Sequence, residues 1–163
     1  MTLYAAKTTV PVERSRAAIE KLLTRYGATK VAIAWGSGRS TVYVYFEVHD
    51  RKVQFDMRLP DRRAPEIRCK PLPRSPGRFG RLRTEKQAEA AYDQECRRRW
   101  RALLIVIQAK IEAVRSGITS FDVEFLAHIL LPGTGDTVAN TVIPQIADAY
   151  ATGAEIKKLG PHR

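Results

Sequence analysis

The sequence predicts a single α+β domain with an N-terminal helix, a three-stranded antiparallel meander, then a long helix and two shorter C-terminal helices. An amphipathic helical pattern opens the chain, three β-rich runs follow at hairpin spacing, and apolar residues then recur every three or four positions for about 30 residues. A length of 163 residues suffices for one hydrophobic core and is short for two ordinary domains. We therefore expect residues 1–163 to form one domain.

The first helix is expected over residues 12–26. Ile19, Leu23 and Tyr26 recur at helical spacing, and Gly27 is placed to end the helix. This helix would therefore present one apolar stripe to a core.

Three strands are predicted next, at residues 30–35, 41–48 and 52–59. The segments between them have the length of hairpin loops, which indicates an antiparallel meander. Alternation divides the middle strand into two faces, one with Val42, Val44, Phe46 and Val48, the other with Tyr43, Tyr45 and Glu47. The first face predicts a core, so we expect the sheet to be covered on that side.

Residues 60–83 are predicted to form a loop or a disordered basic arm. Five prolines between positions 60 and 76 remove backbone donors. The run RRAPEIRCKPLPRSPGRFGRLR, residues 62–83, carries eight basic residues against a single acid, Glu66. The arm is therefore the main concentration of positive charge that the pattern predicts.

The long helix is expected to begin after Thr84, a suitable N-cap, and to end at Gly117. Such a helix is about 45 Å long, so we expect burial only in its C-terminal half, with the arginine-rich half projecting or covered by a partner subunit. A short helix is predicted from Phe121 to Leu130 and a last one up to Tyr150, bent at Pro144. Residues 152–163 are expected to be disordered.

The composition restricts the class of protein. The net charge is +11 and the isoelectric point is near 10.1, which favours polyanionic partners, while 44% hydrophobic residues argue against global disorder. Cys69 and Cys96 form no CxxC pair, which fits a reducing compartment. We find neither a signal peptide nor an apolar run that could span a membrane, so we expect a cytoplasmic protein with no membrane partner.

The basic segment and the arginines of the long helix predict a surface that binds nucleic acid, DNA more than RNA, with single strands open as substrate. Guanidinium groups bind phosphates and release counterions. The predicted binding residues are Arg62, Arg63, Arg68, Lys70, Arg74, Arg78, Arg81, Arg83, Arg97, Arg98 and Arg101. The alternative is a solvated, charge-rich loop that reflects a GC-rich genome.

Other functions are weighed on single features. Tyr43 and Tyr45, near Trp35, could stack unpaired bases, although we favour a second helix packed over that face. Glu47 and Asp56 could hold Mg²⁺ in a nuclease, but the lysine expected two positions after Asp56 is an arginine. An oligomeric structural protein using the long helix is a further alternative.

Histidines and cysteines predict no metal site. His49, His128 and His162 are scattered, and none has a cysteine nearby in sequence. We therefore predict no catalytic residue, no metal and no cofactor.

Two stretches resemble a known family: VPVERSRAAIEKLLTRYGA at residues 10–28, and RRRWRALLIVIQAKIEAVRSGITSFDVEFLAHILLPGTGDTV at 97–138. They are similar to small uncharacterised proteins encoded in bacteriophage genomes, prophages and mobile elements, and cover a little over a third of the chain. The order WRALL, an AK-E pair, GI and EFLAHI-LP is the specific part, whereas the basic insertion has no counterpart in the family. The resemblance implies a mobile-element setting, where replication, recombination and regulation proteins are common, and it implies no particular activity.

Overall fold

The computed structural model describes residue 5, residues 8–72 and residues 77–153. Helix α1 (Val12–Tyr26) precedes a sheet of three antiparallel strands in the order β1 (Lys30–Trp35), β2 (Thr41–Val48) and β3 (Arg51–Arg58). Helices follow the sheet, so the predicted α+β architecture is confirmed.

The sheet buries one face. In β2, Val42, Val44 and Phe46 are fully buried, and each is paired with apolar residues of β1 and β3 in the ladder. The Phe46 ring stacks on Phe55 of β3 and meets the ring of Phe125 edge to face. Because side chains alternate along a strand, this single apolar face is where the helices pack.

A two-residue turn joins β2 to β3. His49 and Asp50 both have positive φ, at 49° and 57°, as a type I′ hairpin requires. The His49 ring is held by edge contacts with Tyr26 and Phe121. Contacts from two helices thus compensate for a conformation that glycine or asparagine would adopt more readily.

Helix α3 (Glu85–Arg115) spans the molecule and begins with a capping box. The Thr84 hydroxyl accepts from the Gln87 amide, and the Gln87 side chain accepts from the Thr84 amide. Trp100 is 1% exposed, and α1 covers it, with the Arg16 guanidinium 5.7 Å from its ring. Burial therefore extends further toward the N-terminus of α3 than the sequence predicted.

The segment at residues 60–83 is structured where it is described, contrary to the predicted loop or disordered arm. It contains a four-residue helix, α2 (Pro65–Arg68), and a two-stranded hairpin of β4 (Cys69–Pro71) and β5 (Phe79–Leu82). Ile67 of α2 is buried, and α2 packs on α3. Pro65 begins α2 and Pro71 lies in a strand of the two-stranded ladder, where a missing N–H costs little.

The C-terminal part differs from the prediction in one helix. Helix α4 (Phe121–Phe125) ends in a 3₁₀ turn, instead of continuing to Leu130. Ile129 and Leu130 are extended, and the Leu130 amide donates to the Lys52 carbonyl oxygen at 2.8 Å. The Lys52 carbonyl oxygen at the edge of the sheet gains a hydrogen bond in this way, and this favours the extended conformation over one more helical turn.

Helix α5 (Val138–Thr152) is capped by Thr137 and continues through Pro144. The predicted disordered tail begins at residue 152, which is the last helical residue, and residues 154–163 lie outside the described part of the chain.

Replacing Thr84 with alanine should lower the free energy of unfolding by about 1 kcal/mol, because the Gln87 amide loses its capping acceptor. Urea denaturation measures this change. Thr84→Ser keeps the hydroxyl and should leave stability within a few tenths of a kcal/mol. Equal losses in both variants would contradict the capping role.

His128 should make stability depend on pH below about 6.5. Its ring stacks on Phe55 with a centroid separation of 3.9 Å, and burial, followed by the nearby Lys110 charge, lowers the pKa of His128 below 6.5. The unfolded chain then binds the proton more tightly, so the free energy of unfolding should fall as pH drops below about 6.5. In His128→Gln the free energy of unfolding should fall less with decreasing pH. Urea denaturation at several pH values measures this, and an equal fall in the two proteins would contradict the role of His128.

Candidate nucleic-acid interface

Arg83 anchors the base of the hairpin to α2. Its guanidinium donates to the carbonyl oxygens of Glu66 and Ile67 at 2.7 and 2.9 Å, and its amide donates to the Arg68 carbonyl oxygen at 2.8 Å. These bonds cover carbonyls that a helix end leaves unpaired. Arg83, predicted as a phosphate contact, therefore has a structural role in this fold.

The two strands of the hairpin are out of simple register. Cys69 pairs with Leu82, whereas Pro71 pairs with Phe79, so β5 contains one extra residue between the two pairs. This is a β-bulge, in which two residues of one strand face one residue of the other. Here the two residues are Gly80 and Arg81, and both face Lys70.

The bulge aligns the positive charges of the hairpin. Arg78 and Arg81 are three positions apart, which in a regular strand would direct their side chains to opposite faces. By the alternation of side chains, the extra residue puts Arg81 on the side of Lys70, and Arg78, whose carbonyl oxygen accepts from the Leu72 amide just before β5, is expected on that side as well. We call Lys70, Arg78 and Arg81 the hairpin cations.

The hairpin cations are exposed, and no ion pair within residues 8–72 and 77–153 involves them. Apolar residues accompany them on the hairpin, since Leu72 and Leu82 are 41% and 67% exposed. A Cβ at Gly80 would lie 2.9 Å from the Leu72 side chain, so glycine lets that leucine lie across the hairpin. The hairpin thus exposes both cations that form no ion pair and apolar side chains.

Other arginines of the arm are engaged with acids of α3. Arg62 forms an ion pair with Glu89, and its guanidinium lies 3.8 Å from the Tyr92 ring centroid. The hydrogen bond to Glu89 raises the pKa of Arg62. Arg68 lies 3.8 Å from Glu85.

Two further predicted residues of the segment have other placements. Arg63 is exposed, and its amide donates to the Asp61 carboxylate at 2.9 Å. Arg74 lies outside the described residues.

The arginines of α3 are half-buried and bonded to their own helix. Arg97 donates to Gln94 Oε1 at 2.8 and 3.2 Å, and Arg98 donates to Glu95 through two nitrogens. Arg99 joins the same carboxylate at 2.9 Å. The two arginines lower the pKa of Glu95 although its burial opposes this, so the ion pair persists to acidic pH.

The α3 arginines lie further along the helix than the acids that contact Arg62 and Arg68. Arg97 is 12 positions beyond Glu85, about 18 Å along α3 from the acid that contacts Arg68. Arg101 is half-buried, one helical turn beyond Arg97. Arg62 of the segment lies nearer to them, because its partner Glu89 is eight positions before Arg97, about 12 Å along the helix.

Among the described residues, no helix covers the second face of the sheet, which corrects our preference for a helix packed over it. Tyr43 and Tyr45 lie on this face, while the helices contact the apolar face. Trp35 pairs with Val42 and therefore belongs to the apolar face, at its edge, instead of lying beside the tyrosines as predicted.

Glu47 and Asp56 do not form a shared metal site. Glu47 faces Lys52 in the ladder and Asp56 faces Tyr43, four positions away, which is about 13 Å along the strand. In the described ranges no three His, Cys, Asp or Glu side chains come together as metal ligands. The nuclease alternative thus lacks its carboxylate pair.

One cleft was not predicted. It has a volume of about 840 Å³, lies between the start of α1, the end of β1 and α3, and has Trp35, 46% exposed, in its wall. Its other walls include the carboxylates of Glu13, Asp61 and Asp93. These acids make it unsuitable for phosphate, and no local pattern indicates it because its residues come from separate segments.

Comparison with models of protein families, with curated proteins and with solved structures finds no match to this chain. No helix in the described part of the chain is long and apolar enough to cross a membrane. The site is therefore interpreted from its own geometry.

Replacing Arg83 with alanine should loosen the hairpin, since two carbonyl acceptors of α2 lose their donor. Hydrogen exchange of the amides of Leu72 and Arg83, which bond across the hairpin, should accelerate about tenfold or more relative to wild type. Arg81→Ala, which removes an exposed cation, is the control and should leave both amides protected. Unchanged exchange in Arg83→Ala would contradict the anchoring role.

Proposed function

We propose that this protein binds nucleic acid, in the first place DNA, without catalysing a reaction on it. One observation carries the proposal: the bulge aligns Lys70, Arg78 and Arg81 on one exposed face of the hairpin. Carboxylates neutralise several other arginines, but no ion pair within the described residues involves these three. Unpaired, aligned cations are what a phosphodiester chain recognises.

The mechanism is electrostatic capture. A net charge of +11 attracts a polyanion at long range, and each phosphate contact releases condensed counterions. Arg63, exposed near the base of the arm, adds to the same electrostatic attraction. Such contacts position the strand and read no sequence.

The remaining predicted residues contribute less in this proposal. Arg62, Arg68 and Arg98 would exchange an internal carboxylate for a phosphate, so their net gain is small. Arg97 and Arg101 are half-buried on α3, away from the hairpin. The hairpin cations are therefore the first residues to test.

The family resemblance supplies the setting. Similarity to proteins of bacteriophages and mobile elements supports a role in replication, recombination or regulation of such an element. Binding of DNA by charge alone suits each of these processes, because each exposes DNA to accessory proteins.

A second candidate function is self-association, and helix α5 favours it. Its Ile143, Ile146 and Tyr150 form an apolar stripe, with Tyr150 90% exposed and Ile143 61% exposed. This moves the predicted oligomer surface from the long helix to α5. Light scattering that finds a defined oligomer without affinity for oligonucleotides would favour this function over nucleic-acid binding.

Replacing all three hairpin cations with glutamine should weaken binding to a fluorescein-labelled oligonucleotide about tenfold or more. The slope of log affinity against log salt should become shallower by about 2, since three phosphate contacts are lost. Fluorescence anisotropy over a series of salt concentrations measures both quantities.

The matched control removes the same charge from α1. Arg14, Lys21 and Arg25 are exposed on that helix, and their triple glutamine variant should keep a salt slope close to that of wild type. Equal losses in the two triple variants would show that net charge, and not the hairpin, determines affinity, and would contradict the proposed site.

A further inference from the structure

We infer that the open face of the sheet is a stacking platform for unpaired bases, so that the nucleic acid bound is single-stranded. The inference rests on the proposed function and adds its substrate class. Tyr43 and Tyr45 occupy this face at successive outward positions of the central strand; each is half-buried by its neighbours, and among the described residues no helix belongs to the core on this side. Aromatic rings on an open sheet are a recurring surface for single strands.

The spacing of the two rings suits an extended strand. Residues two apart on a strand are about 6.6 Å apart, roughly twice the 3.4 Å rise of one strand in a duplex. Bases stacked on both tyrosines would therefore belong to a strand stretched out of the duplex geometry. A base-paired helix could not place neighbouring bases at this interval.

Neighbouring strands leave room beside the rings. In the ladder, Ala34 lies opposite Tyr43 and Ala32 lies opposite Tyr45. Both alanines are exposed, and a methyl group is too small to cover a neighbouring ring. Space for a flat ligand on the β1 side is thus built into the register.

Each ring is held in place. The Tyr45 hydroxyl donates to Glu47, which also pairs with Lys30 at 3.1 Å. Burial and then this hydrogen bond raise the pKa of Tyr45 to about 12, so the ring stays neutral at physiological pH. A ring already ordered loses little entropy when a base stacks on it.

The Tyr43 ring lies over the backbone of the β1–β2 turn. A Cβ at Gly36 would be 3.1 Å from Tyr43 Cε2 and 3.4 Å from its hydroxyl oxygen. The glycine therefore lets the ring rest against the turn.

Charges at both ends of the face suit a phosphate backbone passing over it. Lys30 and Lys52 flank Glu47 at one end, and Arg58 lies opposite Thr41 at the other. Glu47 is already paired with Lys30, and Asp56 accepts from Gln54 at 2.9 Å. Cations thus lie at both ends of the face. Asp56, beside Tyr43, can accept a hydrogen bond from an exocyclic amine of a base.

The face is too polar to be an ordinary protein docking surface. Its exposed members include Lys30, Lys52 and Arg58, and its two acids are bonded within the face. Asp56 and Gln54 lie beside the two rings at the centre of the face, and the centres of stable protein interfaces are depleted of charged residues. A strand of bases uses the rings and the cations together, which favours that occupant.

The test replaces both tyrosines with leucine, which removes stacking but keeps apolar bulk, and compares this variant with a double phenylalanine variant. Affinity for a fluorescein-labelled 15-nucleotide oligothymidine should fall about tenfold or more in the leucine variant and stay within about threefold in the phenylalanine variant. The salt slope should be unchanged in both, since no phosphate contact is removed. Affinity for a duplex of equal length should also be unchanged.

A crosslinking experiment on the wild-type protein covers the case in which the leucine variant does not fold. Irradiation with a 5-iodouracil oligonucleotide should yield adducts on Tyr43 or Tyr45; adducts confined to other residues would overturn the inference. If the leucine variant binds as tightly as wild type while the hairpin triple variant does not bind, the stacking platform is contradicted. The proposed function would still stand. No binding of any oligonucleotide by the wild-type protein would overturn both.

Discussion

The fold depends on a sheet with one apolar face. Val42, Val44 and Phe46 alternate with polar or aromatic residues along β2, so only one side of the sheet can bury hydrocarbon. Helices α1, α3 and α4 each contribute residues to the core on that side, among them Ile19 and Trp100. No helix of the described residues covers the opposite face, which carries the half-buried Tyr43 and Tyr45.

The same one-sided arrangement determines which charges are free. Helix α3 packs onto the sheet, and its Arg98 and Arg99 are half-buried and paired with Glu95. The described residues of the hairpin strands are almost all exposed, the hairpin cations among them. The basic residues thus divide into a set bonded within the fold, which includes arginines of α3 as well as Arg62, Arg68 and Arg83 of the arm, and the exposed hairpin cations, which we propose as the binding set.

Much of this fold could be predicted from the sequence because its main elements have local signals. The 3.6-residue period of α1 and α3 and the alternation of β2 appear in the chain itself. The pairing of Arg98 with Glu95 was not predicted, although the two residues have the i,i+3 spacing of helical ion pairs. The pairing of β4 with β5 could not be predicted, because the sequence between and around these strands is rich in proline and has no periodic pattern. The end of α4 likewise depends on Ile129 meeting Val53, a contact distant in sequence.

The central claim is that the hairpin and the open sheet face together bind a single strand of nucleic acid. Titrating ¹⁵N-labelled protein with oligothymidine and following amide chemical shifts tests both surfaces in one measurement. The account predicts that the largest shifts fall in β1–β3 and in the hairpin residues from 69 to 82. Shifts confined to α5 or to the acidic cleft beside Trp35, or none at saturating oligonucleotide, would contradict it.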